Sequence, residues 1–189
     1  APGTFQMVDG TAVSMQEALE KIESYLREGT PHHVATSDAN AILHEQEDPE
    51  YAEILRRAAL ITPDGFGVVW GMRLLNLPVY ERVTGVDMVT GICEIAAKNN
   101  YSIYILGSAP GIAATAAEKL SERYPGMRIA GTQHGYYQQE NISEEEVVRR
   151  IREAKPDVLF VAFGIPKQEK FIARHLQEMQ VPVSIGVGG

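Results

Sequence analysis

The segment Asp157-Val-Leu-Phe-Val-Ala-Phe-Gly164 constrains the architecture of this chain more than any other. It is almost continuously apolar, as expected of a strand covered on both faces, and that environment belongs to parallel sheets. The segments around it alternate in type. Tyr101 to Gly107 is a short apolar run rich in β-forming residues and ending in glycine, and Ala113 to Tyr124 is Ala-rich with good helix propensity. Met127 to Gly131 predicts a second strand. The helix after it opens on Ser143 as N-cap, with three glutamates in the first turn where they suit the helix dipole. Pro166 starts a further helix running to about Gln177, and Val181 to Val187 predicts another buried strand. Strand and helix in strict alternation imply parallel strands joined by crossovers. The predicted fold class is therefore α/β, a Rossmann-like layered fold with a mostly parallel central sheet flanked by helices.

The front half fits that scheme less regularly. Ser14 to Arg27 predicts an amphipathic helix with Ser14 and Glu17 as a capping box. His33 to Thr36 is a short strand, two helical stretches follow up to Ala59, Leu60 to Gly65 is a strand running into a turn, and Val86 to Asn99 is a helix. No repeat, low-complexity tract or linker separates the halves, so residues 1–189 are expected to form a single domain. The last nine residues read as a strand and the opening of a turn, where an α/β chain normally continues into a covering helix; a continuation beyond Gly189 is expected.

Charge narrows the function classes. With 17 Lys+Arg against 25 Asp+Glu the formal charge is -8, which disfavours nucleic acid as a partner because phosphate contacts demand clustered cations. One small phosphate compound is still compatible, since backbone amides and one or two arginines suffice locally. Cys93 is the only cysteine, which excludes an intrachain disulfide, favours a cytosolic setting and is expected to pack on a helix face. No apolar run approaches the ~20 residues needed to span a bilayer, so membrane contact is expected to be peripheral. The five histidines are scattered without helical metal-site spacing, and no metal site is expected.

Open α/β sheets bind ligands beyond the carboxyl ends of their strands. Four segments bring polar groups there: Thr36-Ser-Asp38, Pro63-Asp-Gly65, Gly107-Ser-Ala-Pro-Gly111 and Gly164-Ile-Pro-Lys-Gln-Glu169. Asp64 reads locally as an ordinary turn former between Pro63 and Gly65, or as a carboxylate able to take a proton from an attacking hydroxyl. Gly107-Ser108-Ala109 resembles a phosphate-binding turn leading into a helix N-terminus, without the complete dinucleotide fingerprint. The strand from Met127 ends in Thr132-Gln133-His134, so the acidic residue that would bind an NAD ribose is missing, which counts against a dehydrogenase. Arg82 offers either a surface ion pair or a guanidinium for a diphosphate. Gln168 can hydrogen-bond a sugar, whereas Lys167 and Glu169 are readable as solvated. Tyr136 lies near these segments, as an aromatic for a nucleobase or as packing.

Taken in order, these segments resemble the WecG/TagA/CpsF glycosyltransferase family. The likeness is carried by Ala35-Thr36, Thr62-Pro-Asp-Gly65, Glu81-Arg-Val-Thr-Gly-Val-Asp87, Leu106-Gly-Ser-Ala109, Tyr124-Pro-Gly126, Gly131-Thr-Gln-His-Gly-Tyr136, Phe163-Gly-Ile-Pro-Lys-Gln-Glu-Lys170 and Gly186-Val-Gly-Gly189. The resemblance implies inverting, metal-independent transfer of an N-acetylmannosamine-type sugar from a UDP-sugar to an undecaprenyl-diphosphate-linked acceptor, without a cofactor, in cell-wall or surface-polysaccharide synthesis. It implies Asp64 as general base, with Thr36, Arg82 and Gln168 lining the pocket. Gly107, Ser108, Ala109, Tyr136, Gly164, Lys167, Gly186, Gly188 and Gly189 would hold the nucleotide-sugar. It further implies a homo-oligomer such as a trimer, located in the cytoplasm at the inner face of the bacterial membrane, with peripheral contact and extra cations supplied by a segment C-terminal to Gly189. The chain departs from the family at Asp38 and Asn40, where Asn and Glu are frequent, and at Phe171, where Trp is frequent. Two other readings stand beside it: a Rossmann enzyme of another nucleotide cofactor, and a non-catalytic UDP-sugar-binding module.

Overall fold

A computed structural model of the chain describes residues 5–7, 11–37, 46–63 and 88–188. Its strands are β1 (Phe5–Met7), β2 (Ala12–Val13), β3 (His32–Ser37), β4 (Leu60–Pro63), β5 (Ser102–Gly107), β6 (Arg128–Gln133), β7 (Val158–Ala162) and β8 (Val183–Gly186). Its α-helices are α1 (Met15–Glu28), α2 (Pro49–Arg57), α3 (Met88–Asn99), α4 (Ile112–Arg123), α5 (Glu144–Ala154) and α6 (Lys167–Met179), with a 3-10 turn at Tyr137–Glu140. The strands form one sheet in the order β2-β1-β4-β3-β8-β7-β5-β6. From β4 to β6 every neighbouring pair is parallel, and β1 joins β4 antiparallel with β2 beyond it.

Alternate residues of the central strands separate into two cores, the period-two signature of a sheet covered on both sides. Ile103, Ile105, Val158, Phe160, Val183 and Ile185 face α1, α3 and α4 through Ile22, Ile92, Cys93 and Ala116. Tyr104, Leu106, Leu159 and Val161 face α5 and α6 through Val147, Ile151, Phe171 and Ile172. Ala35 of β3 packs on Tyr51, Leu55 and Ala58 of α2. The sequence reading of an α/β layered fold with a mostly parallel sheet therefore holds, as does the buried helical setting of Cys93. β1 and β2 carry no signal in the sequence, because strands of three and two residues are too short to show a period.

Helix ends follow local chemistry. Ser14 Oγ accepts from Glu17 N at 3.1 Å while the Glu17 carboxylate accepts from Ser14 N at 2.9 Å, the reciprocal box read from the sequence. Ser143 Oγ caps α5 through Glu146 N. Asp48 caps α2, with Pro49 at its first position.

At two places along the sheet the chain changes direction. From β5 the chain moves outward to β6, then returns past β5 to β7, so the connections leaving neighbours β5 and β7 diverge. Likewise β3 leads outward to β4, while its neighbour β8 arrives from β7 on the other side. Such reversals are where α/β folds hold ligands.

Candidate functional site

At the first reversal the backbones of β5 and β7 meet without room for a side chain. Gly107 has φ +121, and a Cβ there would stand 2.5 Å from Ala162 O, so only glycine fits. Ser108 follows in the left-handed region at φ 63; its N–H donates to Ala162 O at 3.1 Å and its carbonyl accepts from Gly135 N at 2.8 Å. The end of β5 is thereby tied to the end of β7 and to the loop after β6. Ala109 closes the turn by accepting from Ile112 N at 3.1 Å. Helix α4 starts there with Gly111 as N-cap and no side-chain capping bond, which leaves first-turn N–H groups to an anion or water.

The loop after β6 is braced from below. Gln133 accepts from Arg150 Nη1 at 3.1 Å and donates to His134 O at 3.1 Å. His134 Nδ1 accepts from Tyr136 N at 3.1 Å, which puts its ring proton on Nε2, facing Glu140. Tyr136 is held at 49% exposure, while its neighbour Tyr137 is buried at 3%. The two tyrosines thus divide: one packs, and the other leaves its ring open to solvent.

At the second reversal Gln168 ties the end of β7 to that of β8, and Thr36 ties β3 to β8. Gly164 has φ +83, the Ile165–Pro166 bond is cis, and α6 begins at Lys167. Gln168 Oε1 accepts from both Gly164 N and Gly188 N, each at 3.0 Å. One buried carbonyl oxygen therefore joins the turn after β7 to the segment after β8. Thr36 Oγ1 donates to Gly186 O at 2.6 Å, and Tyr51 Oη donates to Thr36 O at 3.0 Å. Thr36, Gly164 and Gln168 are thus linked by hydrogen bonds through the Gly186–Gly188 segment, and Gly107 and Ser108 adjoin them through β7.

Both Thr36 and Gln168 are fully buried and spend hydrogen bonds on backbone. Lys167 sets its ammonium 4.9 Å from the Phe163 ring centre and lines a cleft of about 290 Å³ with Glu144, Lys170, Phe171 and Arg174. Asp64, Arg82 and Gly189 lie outside the described residues, as do Asp38 and Asn40. Asp64 follows directly on Pro63, which pairs with Ser37 at the carboxyl ends of β4 and β3.

Glu169 was readable as solvated, but it is fully buried and its Oε1 meets His33 Nε2 at 3.0 Å. The reason is helical periodicity: Gln168, Phe171, Ile172, His175 and Met179 form the buried stripe of α6, and Glu169 stands at its border, three residues before Ile172. That stripe was visible in the sequence. What it met across the sheet, His33 and Gly186, was not.

Two carboxylates tie α6 to its neighbours. Lys170 Nζ lies 2.5 Å from Asp48 Oδ2, and this bond, with that from Tyr51 N, holds the Asp48 carboxyl below the usual carboxylate range. Burial pushes the Glu144 carboxyl up, but hydrogen bonds from His175 (2.6 Å) and Arg174 (2.8 Å) outweigh it and leave the group below its ordinary value.

Among the described residues no helix is long and apolar enough to cross a membrane. Comparison with known proteins finds a family model, the glycosyl transferase WecG/TagA/CpsF family, matching residues 5–189. Relatives include N-acetylglucosaminyldiphosphoundecaprenol N-acetyl-beta-D-mannosaminyltransferases of Staphylococcus aureus strains NCTC 8325 / PS 47 and MRSA252. Each is 30% identical over 184 residues, covering 96% of this chain and 71% of the relative. The family match spans both reversals of the sheet and every strand-end turn built on them, and the chain belongs to the WecG/TagA/CpsF glycosyltransferase family.

Proposed function

We propose that this glycosyltransferase moves an N-acetylmannosamine-type sugar from a UDP-sugar to an undecaprenyl-diphosphate-linked acceptor with inversion, Asp64 acting as general base. The observation that carries the reading is the joined carboxyl edge: the Gly107–Ser108 turn, the uncapped start of α4 and the Gln168 bonds to Gly164 and Gly188. The free first-turn amides of α4 suit a nucleoside diphosphate, whose charge they meet without a dedicated basic cluster. The acceptor class follows the printed name of the S. aureus relatives.

In this reading the Asp64 carboxylate takes the proton of the acceptor hydroxyl as that oxygen attacks the anomeric carbon. A carbon–oxygen bond forms on one face while the bond to the β-phosphate oxygen breaks on the other, and UDP departs with the electron pair. Arg82 and backbone amides offset the charge developing on the leaving phosphate without a metal ion. Tyr136, exposed next to the Gly135 that bonds Ser108, offers a face for the uracil ring. The proposal includes work at the cytoplasmic face of the membrane, through peripheral contact, as a homo-oligomer.

A UDP-release assay with a panel of UDP-sugars and a short-chain lipid-diphosphate acceptor tests this. Asp64→Asn is expected to lower turnover by about 10²–10⁴-fold while UDP binding persists, with wild-type release surviving chelation of divalent ions. Release unchanged by the substitution removes Asp64 from the chemistry.

A further inference from the structure

The buried face of α6 carries polar atoms that the proposed chemistry does not use. Because Gln168 Oε1 accepts two backbone N–H groups, its Nε2 must point the other way. There it lies 2.4 Å from the point a Gly186 Cβ would occupy, and Glu169 Oε2 lies 2.4 Å from the same point. Both side chains are fully buried, and neither atom has a hydrogen-bond partner among the described residues. One is a donor and the other an acceptor, and they converge on a glycine that leaves them room. The other carboxylate oxygen is anchored, since Glu169 Oε1 meets His33 Nε2 at 3.0 Å on β3. Glu169 thus spans from the sheet to the amide that holds the second reversal.

We infer that Glu169 is a positioning residue: anchored by His33, its carboxylate provides the acceptor facing Gln168 Nε2 and so keeps the Gln168 oxygen on Gly164 and Gly188. A rotated amide would set NH₂ against two backbone donors and a carbonyl against a carboxylate, so the two ends of the amide select one orientation together. Nε2 makes no direct hydrogen bond even beside the carboxylate, and without Glu169 it would face no acceptor at all. The amide then relieves that cost by withdrawing, which frees the turn after β7 and the segment after β8 at once. The inference rests on the carboxyl edge being the nucleotide-sugar site proposed above, since those two segments form part of it.

Substitution separates this role from packing. Glu169→Leu keeps much of the volume but offers no acceptor. Glu169→Gln can turn its carbonyl to Gln168 Nε2 and its NH₂ to His33, once the imidazole carries its proton on Nδ1. The measurements are amide hydrogen exchange at Gly164 and Gly188 and steady-state kinetics with the UDP-sugar. Loss of hydrogen bonds predicts that Glu169→Leu speeds exchange at both glycines by about tenfold and raises the donor KM by about tenfold, with kcat falling by less than about threefold. Glu169→Gln is expected to recover both.

Wild-type exchange in Glu169→Leu overturns the inference, and so does faster exchange with an unchanged donor KM. Damage by Glu169→Gln equal to that of Leu overturns it as well. Should Glu169→Leu fail to fold, His33→Phe removes the anchor instead: smaller changes in the same direction support the role, and wild-type values reject it. A wild-type protein that neither binds nor turns over any UDP-sugar refutes the proposed function, while the exchange rates still decide whether Glu169 holds the amide.

Discussion

Glycines at the carboxyl edge have unequal duties, and the difference is measurable residue by residue. Gly107 and Gly111 both have positive φ, but a Cβ at Gly107 would press on Ala162 O at 2.5 Å, whereas one at Gly111 would meet nothing within 4 Å. Gly111→Ala is therefore expected to cost only the left-handed penalty, about 1 kcal/mol in urea unfolding. Gly107→Ala must also part β5 from β7, so a loss of about 3 kcal/mol and weaker nucleotide binding are expected. Equal costs at the two positions would mean that strand contact is not what makes Gly107 a glycine. Neither distinction was legible in Gly107-Ser-Ala-Pro-Gly111, where both residues read as one phosphate-binding turn. A short-range pattern marks flexibility, but the neighbour that excludes a side chain is 55 positions away in the sequence.

Elements show how far local rules reach. The Ser14–Glu17 box and the Ser143 cap both formed as read, because each depends on residues three apart. Ser14→Ala is expected to destabilise the protein by about 1 kcal/mol, checked by its thermal midpoint against wild type. An unchanged midpoint would place the start of α1 outside the cooperative unit. Helix α4 differs, since it has no side-chain cap and begins at the reversal of the sheet. Its open N-terminus is a cost to the isolated helix and an asset at a site for phosphate. The buried stripe of α6 was equally legible, but Glu169 at its border was not assigned to it. A carboxylate enters an interior only where a partner waits, and that partner, His33, comes from β3.

At the scale of the whole molecule, α6 is where distant parts of the chain meet. It is tied to α2 through Lys170 and Asp48 and to α5 through His175, Arg174 and Glu144. Both carboxyls lie below their ordinary values in the folded protein, so their contribution is complete above the unfolded carboxylate range and is lost as pH falls through the folded values. The thermal midpoint is accordingly expected to drop below about pH 4. Asp48→Asn should flatten that slope, and a slope unchanged in both Asp48→Asn and Glu144→Gln would assign acid sensitivity to other groups. Lys170 works in the opposite sense: the Asp48 carboxylate holds its ammonium above the usual range, so its share is present at neutral pH and lost only under strong alkali.

The linear chain was sufficient for the layered α/β class, the helix starts, the strand-end position of the polar turns and the family. Each of these is written in periodicity, in caps a few residues wide, or in an ordered set of short segments. Strand order was decided only in three dimensions, and with it the two reversals that bring Gly107 to Ala162, Thr36 to Gly186, and Gln168 to Gly188. The physical reason is that buried polar groups choose partners by proximity and geometry, which carry no signature at a fixed spacing along the chain. Glu169 states the case in one residue: solvated by its composition, it is made a buried brace by what β3 and β8 set beside it.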